Sequence, residues 1–299
     1  MMNPALNRIG RFAPSPTGPL HFGSLLAALA SFLDMRARNG RWLLRIEDLD
    51  PPREQPGAAD SILQTLDAFG LHWDGPVVYQ SQRLDAYRAA LEALLQQGAA
   101  YRCSCSRKAL RARNALPLYD GHCRLFPPAE TADCAIRAIH PEAEQQFEDR
   151  IQGWRRYHWP SGKGDFVVFR RDGLFAYQLA VVVDDAAAGI TDVLRGSDLI
   201  DETPHQIALQ QRLDYLTPDY AHIPVITNVS GQKLSKQNLA PALDTAQRQQ
   251  LLHRALTLLG QQPPADLMKA GRNELLQWAI MHWNITAIPG TLSLCESKS

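Results

Sequence analysis

Between Ser24 and Arg38 apolar residues recur at the three-to-four spacing of a helix, with Leu25, Leu26, Leu29, Phe32, Leu33 and Met35 on one face, before Asn39 and Gly40 close it. The short apolar run from Trp42 to Ile46, ending in acids, predicts a buried strand. Segments 57–69, with Ile62, Leu63, Leu66 and Phe69, and 82–97, with Leu84, Tyr87, Leu91, Leu94 and Leu95, predict helices, and Gly70 or Gly98 follows each. Strands alternating with helices predict an α/β fold built on a doubly wound parallel sheet, whose ligands gather at the carboxyl ends of the strands.

From 101 to about 165 the alternation breaks into "YRCSCSRKALRARNALPLYDGHC", a mixed polar stretch and "WPSGKGD", which reads as an insertion. It resumes with strand-like "DFVVFR", an "RDG" turn, "FAYQLAVVVDD", "GITDVLRG", a helix from about Pro204 to Leu213 capped by Thr203, and "AHIPVITN". Segments 1–100 and 166–240 are thus expected to be two halves of a Rossmann-type catalytic domain flanking an insertion at 101–165. Two weaker helical patterns, about 244–259 and 273–284, fill a short C-terminal region at 241–299.

Composition narrows the picture. With 31 basic and 31 acidic residues the formal charge is zero, so any RNA contact has to come from local patches rather than from a blanket attraction. The run Arg102, Arg107, Lys108, Arg111 and Arg113, with no acid between its members, is one such patch, or simply a solvated face. No leader pattern and no run of 18 apolar residues appear, so a cytoplasmic protein free of membrane is expected. Five cysteines in 299 residues make no disulfide framework. Three of them, Cys103, Cys105 and Cys123, cluster with the spacing of a structural zinc site, and spacing alone nominates His122 as the fourth ligand, since imidazole is a commoner zinc donor than phenol.

Two loops carry the chemistry. "GPLHFGS", residues 18–24, stands where the first helix begins, and a helix start offers unpaired N–H groups and partial positive charge to a phosphate. His21 can donate to phosphate oxygens there, Gly23 lets a ligand approach the backbone, and Ser24 adds a hydroxyl. "SGQKLSKQN", residues 230–238, follows a predicted strand and brings Lys233 and Lys236 three positions apart, two point charges suited to a polyphosphate. Taken singly, the first loop also reads as a capped core helix and the second as a solvated loop. Arg11, Glu47 and Arg195 stand at predicted strand ends, where two cations and one anion would suit an amino acid with two carboxylates and an ammonium.

Together, "RFAPSPTGPLHFGS" and "KLSKQ" resemble the HIGH and KMSKS signatures of class I aminoacyl-tRNA synthetases in the form used by the glutamate enzymes. "RIEDLD", "VVVDD", "GITDVLRGSDL" and "TPHQIAL" match the same family in the same order, so the resemblance covers about residues 8–240. Ser24 stands where HIGH has its second histidine, Leu234 where KMSKS has methionine, and Gln237 where it ends in serine. The resemblance implies that His21 and Lys236 are catalytic, that Gly23, Ser24 and Lys233 join them on ATP and its Mg²⁺, and that Arg11, Ala13, Ser15, Glu47, Tyr177 and Arg195 line a glutamate pocket. It also implies one structural Zn²⁺, with Tyr119 rather than His122 completing the three cysteines. Only about 60 residues follow the lysine loop, which looks like the short branch of the family that links L-glutamate to the queuosine base of tRNA(Asp). A monomer is expected. Two other readings compete: a small-molecule nucleotidyltransferase, which shares the H-x-G loop but not "KLSKQ", and a catalytically silent RNA-binding relative.

Overall fold

The computed structural model describes residues 8–140, 144–160, 162–227 and 241–295. In its first part β1 (Ile9–Phe12), α1 (Phe22–Arg36), β2 (Arg41–Ile46), α2 (Ala58–Ala68), β3 (Val78–Tyr79) and α3 (Leu84–Gln96) alternate as the hydrophobic pattern predicts. Next come β4 (Ala100–Cys103), the short α4 (Arg107–Ala112) and α5 (His122–Leu125), then β5 (Ala135–Ala138), β6 (Glu144–Asp149), β7 (Gly153–His158) and β8 (Phe166–Phe169). The remainder is α6 (Tyr177–Ala187), β9 (Asp192–Gly196), α7 (Thr203–Arg212), β10 (Asp219–Ile223), β11 (Val225–Thr227), α8 (Arg248–Leu258), α9 (Arg272–Met281) and β12 (Ser293–Cys295).

Seven strands form the main sheet in the order β3-β2-β1-β9-β10-β6-β7. All its pairs are parallel except β6 with β7. Strand order runs outward from β1 in one direction and from β9 in the other, so the topological switch, where a doubly wound sheet leaves a crevice for ligands, lies between β1 and β9. Helix α1 seals the sheet just there. Leu25, Leu29 and Leu33 are fully buried against Trp42, Leu44 and Ile46. Gly10 of β1 lets the helix sit this close, since a Cβ there would stand 2.7 Å from Cγ of Met35.

Sheet membership cuts across the insertion expected at 101–165. Strands β6 and β7 lie within that range yet extend the main sheet, whereas β8, just beyond it, completes a separate three-stranded sheet in the order β4-β5-β8. The segment "FAYQLAVVVDD" supplies helix α6, with Asp184 and Asp185 buried inside it, and Thr203 is the first residue of α7 rather than its cap. Helices α8 and α9 bury Leu252, Leu256 and Leu275 in the same core as α1 and β2, so the C-terminal segment buttresses the catalytic half.

Candidate active site

At the switch point the sheet opens into a cavity of about 260 Å³. Its wall contains Arg11, Ala13 and Ser15 from the end of β1, His21, Gly23 and Ser24 from the start of α1, Glu47 from the end of β2, Tyr177 from the start of α6 and Arg195 from β9. Every predicted amino-acid and nucleotide residue among the described positions therefore reaches one cavity. Lys233 and Lys236 lie outside the described residues. The chain on either side of them meets the same wall: Ile226 of β11 lines the cavity, Ala242 bridges to His21, and the amide of Leu243 donates to the carbonyl of Leu20 at 3.0 Å.

His21 is the N-cap of α1, and its Nδ1 accepts the backbone N–H of Ser24 at 3.2 Å. That bond puts the neutral ring's proton on Nε2, the tautomer that can donate to a phosphate oxygen. No acidic residue occupies the first turn of α1, so nothing there offsets the positive end of the helix dipole.

The arginines of the wall are held from behind. Arg11 is 4% exposed, and its Nε reaches both carboxylate oxygens of Asp185 at 3.2 Å. Arg45 donates to the same carboxylate at 2.6 Å and to Glu47 at 3.2 Å. Burial alone would push Asp185 up, yet Arg11 and Arg45 hold it below the ordinary carboxylate range. Burial dominates at Glu47 and raises it, with Arg45 and Arg11 offsetting only part. Burial likewise raises the phenol of Tyr177, which keeps it a hydrogen-bond donor or acceptor rather than a phenolate. Arg195 donates through Nη1 to the Tyr177 hydroxyl at 3.1 Å and through Nη2 to the Thr203 hydroxyl at 2.9 Å and the carbonyl of Leu199 at 3.3 Å.

Asp185 and Arg45 were not among the predicted site residues. Two adjacent acids directly after the apolar run "LAVVV" were the available signal, because buried carboxylates demand cationic partners.

A second cluster lies in the segment after α3. The sulfurs of Cys103, Cys105 and Cys123 fall within 4.8 Å of one another, and this is the metal-competent group of His, Cys, Asp and Glu among the described residues. The Tyr119 hydroxyl is 3.5 Å from the Cys103 sulfur and 3.8 Å from that of Cys105, while Cys105 and Cys123 are 3.4 Å apart. Four tetrahedral ligands about 2–2.3 Å from a zinc ion stand roughly 3.3–3.8 Å from each other, and these three separations fall in that range. His122, the ligand nominated by spacing, heads α5 and turns its ring to Phe126 at 5.1 Å, apart from the group. Burial raises the Cys105 thiol and the Tyr119 phenol, whereas at Cys123 hydrogen bonds with Tyr119, Cys105 and neighbouring groups outweigh burial and bring the thiol down to about 7. Arg113 and Arg137 each place a guanidinium N–H 3.3 Å from a sulfur, Cys105 and Cys103 respectively, and Arg137 also covers the Tyr119 ring at 3.8 Å.

This arrangement thins the basic patch. Arg102 is spent on the carbonyls of Ala129, Glu130 and Ala132, and Arg113 on Asp120 at 2.8 Å and on Cys105, which leaves Arg107, Lys108 and Arg111 as its exposed members.

A parallel sheet with a histidine-capped helix start at its switch point is the class I synthetase arrangement, and the comparisons with known proteins agree. Residues 9–268 match the family described as tRNA synthetases class I (E and Q), catalytic domain; the chain belongs to this family of aminoacyl-tRNA ligases. It is 56% identical to the Glutamyl-Q tRNA(Asp) synthetase of Thiobacillus denitrificans, over 96% of this chain and 97% of that protein. It is 53% identical to the Glutamyl-Q tRNA(Asp) synthetase of Pseudomonas fluorescens, over 97% and 96%. Its fold is similar to the crystal structure of a glutamate tRNA ligase from Elizabethkingia meningosepticum in complex with its amino acid, with a TM-score of 0.80 and 25% identity over 98% of this chain and 67% of that one. Family membership removes the small-molecule nucleotidyltransferase reading. The family implies ATP, an amino acid and a tRNA as substrates. No described helix is long and apolar enough to cross a membrane.

Proposed function

We propose that the protein activates L-glutamate with ATP, without needing tRNA, and then transfers the glutamyl group to the queuosine base at the wobble position of tRNA(Asp). The observation that carries this reading is the meeting of Arg11, Glu47, Tyr177 and Arg195 with His21, Gly23 and Ser24 around one cavity. The acceptor is proposed from the relatives, which are Glutamyl-Q tRNA(Asp) synthetases.

In the first step an oxygen of the glutamate α-carboxylate attacks the α-phosphorus of ATP, the bond to the β-phosphate bridging oxygen breaks, and pyrophosphate leaves. The attacking carboxylate is already ionised at neutral pH, so no general base is required. The protein's contribution is positioning and stabilisation of the charge that grows on phosphorus-bound oxygens. His21 through Nε2–H, the amides at Gly23 and Ser24, and Lys236 and Lys233 are assigned to the nucleotide, which arrives with Mg²⁺. Arg11 and Arg195 are assigned to the carboxylates of glutamate and Glu47 to its ammonium, with Ala13 and Ser15 forming the floor. In the second step a hydroxyl oxygen of the acceptor attacks the activated carbonyl carbon, the bond from that carbon to the phosphate oxygen breaks, and AMP departs as the hydroxyl proton is released to solvent.

Zinc, held by Cys103, Cys105, Cys123 and Tyr119, is assigned a structural role, because the cluster includes little apolar surface of its own. A monomer is the proposed working unit.

The test is exchange of labelled pyrophosphate into ATP with glutamate and no tRNA, followed by transfer of labelled glutamate to tRNA from cells with and without queuosine. Exchange, and label only on queuosine-containing tRNA, is expected. Absence of exchange would mean a catalytically silent relative, and equal labelling of both tRNA pools a conventional glutamate enzyme.

A further inference from the structure

Arg195 owes its posture to a residue that does not touch the cavity. In the parallel ladder of β9 and β10, His222 is the register partner of Arg195, so the two side chains leave the sheet side by side. His222 is fully buried, and its Nε2 accepts the Nε–H of Arg195 at 3.0 Å. On the other side of the ring, Nδ1 lies 2.5 Å from Oδ2 of Asp149, at the end of β6. Asp149 is itself fixed, since its Oδ1 accepts the backbone N–H groups of Ile151 at 3.0 Å, Gln152 at 2.8 Å and His222 at 3.2 Å.

The chemistry of the partners leaves one tautomer. Nε2 also lies 3.3 Å from the Thr203 hydroxyl, which can donate or accept, but an arginine Nε can only donate and a carboxylate can only accept, so Nε2 carries the lone pair and Nδ1 the proton. Burial draws His222 down to about 4 in spite of the carboxylate beside it, with the charge of Arg195 adding to the effect, and the ring is neutral at physiological pH.

Counting the N–H groups of Arg195 shows what this achieves. Nε is taken by His222, both Nη2 protons have acceptors in Leu199 and Thr203, and one Nη1 proton goes to Tyr177, so among the described residues one N–H of this cavity-lining arginine has no acceptor. A guanidinium tied at three nitrogens cannot swing about its last bonds. A leucine at position 222 would fill the space between strands without the cost of burying an acid and an imidazole, which makes a chain of acid, imidazole and guanidinium leading to the cavity wall an expensive way merely to hold two strands together.

We propose that His222, backed by Asp149, is a positioning residue that presents Arg195 to the carboxylate of the amino acid being activated. The proposal rests on the reading of the cavity as a glutamate pocket. Its effect belongs to preorganisation: the arginine meets the substrate already oriented, and no binding energy is spent on ordering it. Because Asp149 lies in β6, beyond the first half of the catalytic fold, this wires the strand added to the sheet's far side to the amino-acid pocket.

The test has two parts. In wild-type protein labelled with ¹⁵N-histidine, long-range proton–nitrogen spectra are expected to show His222 neutral, with its proton on Nδ1, from pH 5.5 to 8. A proton on Nε2 in that range overturns the proposal, because Nε2 could then not accept from Arg195. In pyrophosphate exchange, His222→Asn keeps a donor near Asp149 but falls short of Arg195, and is expected to raise the KM for glutamate about 10- to 100-fold with the KM for ATP within about twofold of wild type. His222→Gln, whose amide is long enough to accept from Arg195 and donate to Asp149, is expected to restore the glutamate KM to within about threefold. Equal rises in both KM values, or a lowered melting temperature with neither KM changed, would reduce His222 to a structural residue. If His222→Asn does not fold, the tautomer and the His222→Gln kinetics decide. A wild-type protein inactive with glutamate would refute the pocket assignment instead, and the tautomer would still show whether His222 holds Arg195.

Discussion

Arg11 reaches the cavity wall with its Nε committed to Asp185, which fixes the plane of its guanidinium and leaves the Nη groups to meet a ligand. Assigned to a glutamate carboxylate, it makes no contribution to the nucleotide. Arg11→Ala is therefore expected to raise the KM for glutamate by tenfold or more, the loss of about one charge-assisted bond, and to leave the KM for ATP near its wild-type value. An equal rise in both would remove the assignment. His222 gives a second residue-scale expectation, this time for stability. Its folded pKa of about 4 lies below the ordinary 6.5, so on acidification the unfolded chain takes up a proton first. The contribution is complete above pH 6.5 and is lost progressively down to about pH 4. Asp149, held below the ordinary carboxylate range, loses its own contribution only at still lower pH. Melting temperatures measured from pH 7 to 4 should fall more steeply for wild type than for His222→Gln, which has no proton to gain there, and parallel curves would contradict the neutral buried imidazole.

At the scale of elements, the cysteine cluster is the part that leans most on something other than apolar packing. Its buried members beyond the ligands are Leu110 and Ala115, against the long leucine-rich core under α1. Cys103→Ser or Cys123→Ser is thus expected to abolish zinc binding and to raise hydrogen exchange through β4, α4 and α5, with the main sheet still protected. Zinc-free wild-type protein at neutral pH would refute the site. Tyr119→Phe should weaken zinc retention against a chelator and His122→Ala should not. Elements of this kind differ in how far the chain announces them. α1, β2, α2 and α3 were legible to within one or two residues because each buries one face on a local period. α6 was ambiguous, since "LAVVVDD" reads as strand or helix until its acids find Arg11 and Arg45, the former 174 residues away. The β6–β7 hairpin hid in a polar stretch, and its place at the far edge of the sheet depends on pairing with β10, which no local pattern encodes. The same distinction separates the site residues. Those in short motifs could be gathered from the chain, whereas His222 and Asp149 matter only through the register of three strands.

For the whole molecule the open choice is the acceptor. Esterification of a hydroxyl on a modified base and of one on the terminal ribose is the same reaction at the activated carbonyl, so the adenylate pocket by itself does not distinguish them. The distinction must come from which part of the tRNA reaches the cavity. A chain with a formal charge of zero has no general hold on RNA, and its described basic cluster is small, with Arg107, Lys108 and Arg111 exposed on the segment around α4. Such a patch suits a compact RNA element, and an anticodon loop presents unstacked bases of the kind proteins read most readily. We therefore expect an isolated anticodon stem-loop bearing queuosine to be a sufficient acceptor, and full-length tRNA(Asp) to accept glutamate after its 3′-terminal adenosine has been removed. Periodate is unsuitable as the probe, since it cleaves the diol of queuosine as readily as that of the terminal ribose. Trimming removes only one of the two. Labelled glutamate retained on the trimmed tRNA places the ester on the base, and its loss would assign this protein the 3′ end and the chemistry of a conventional glutamate enzyme.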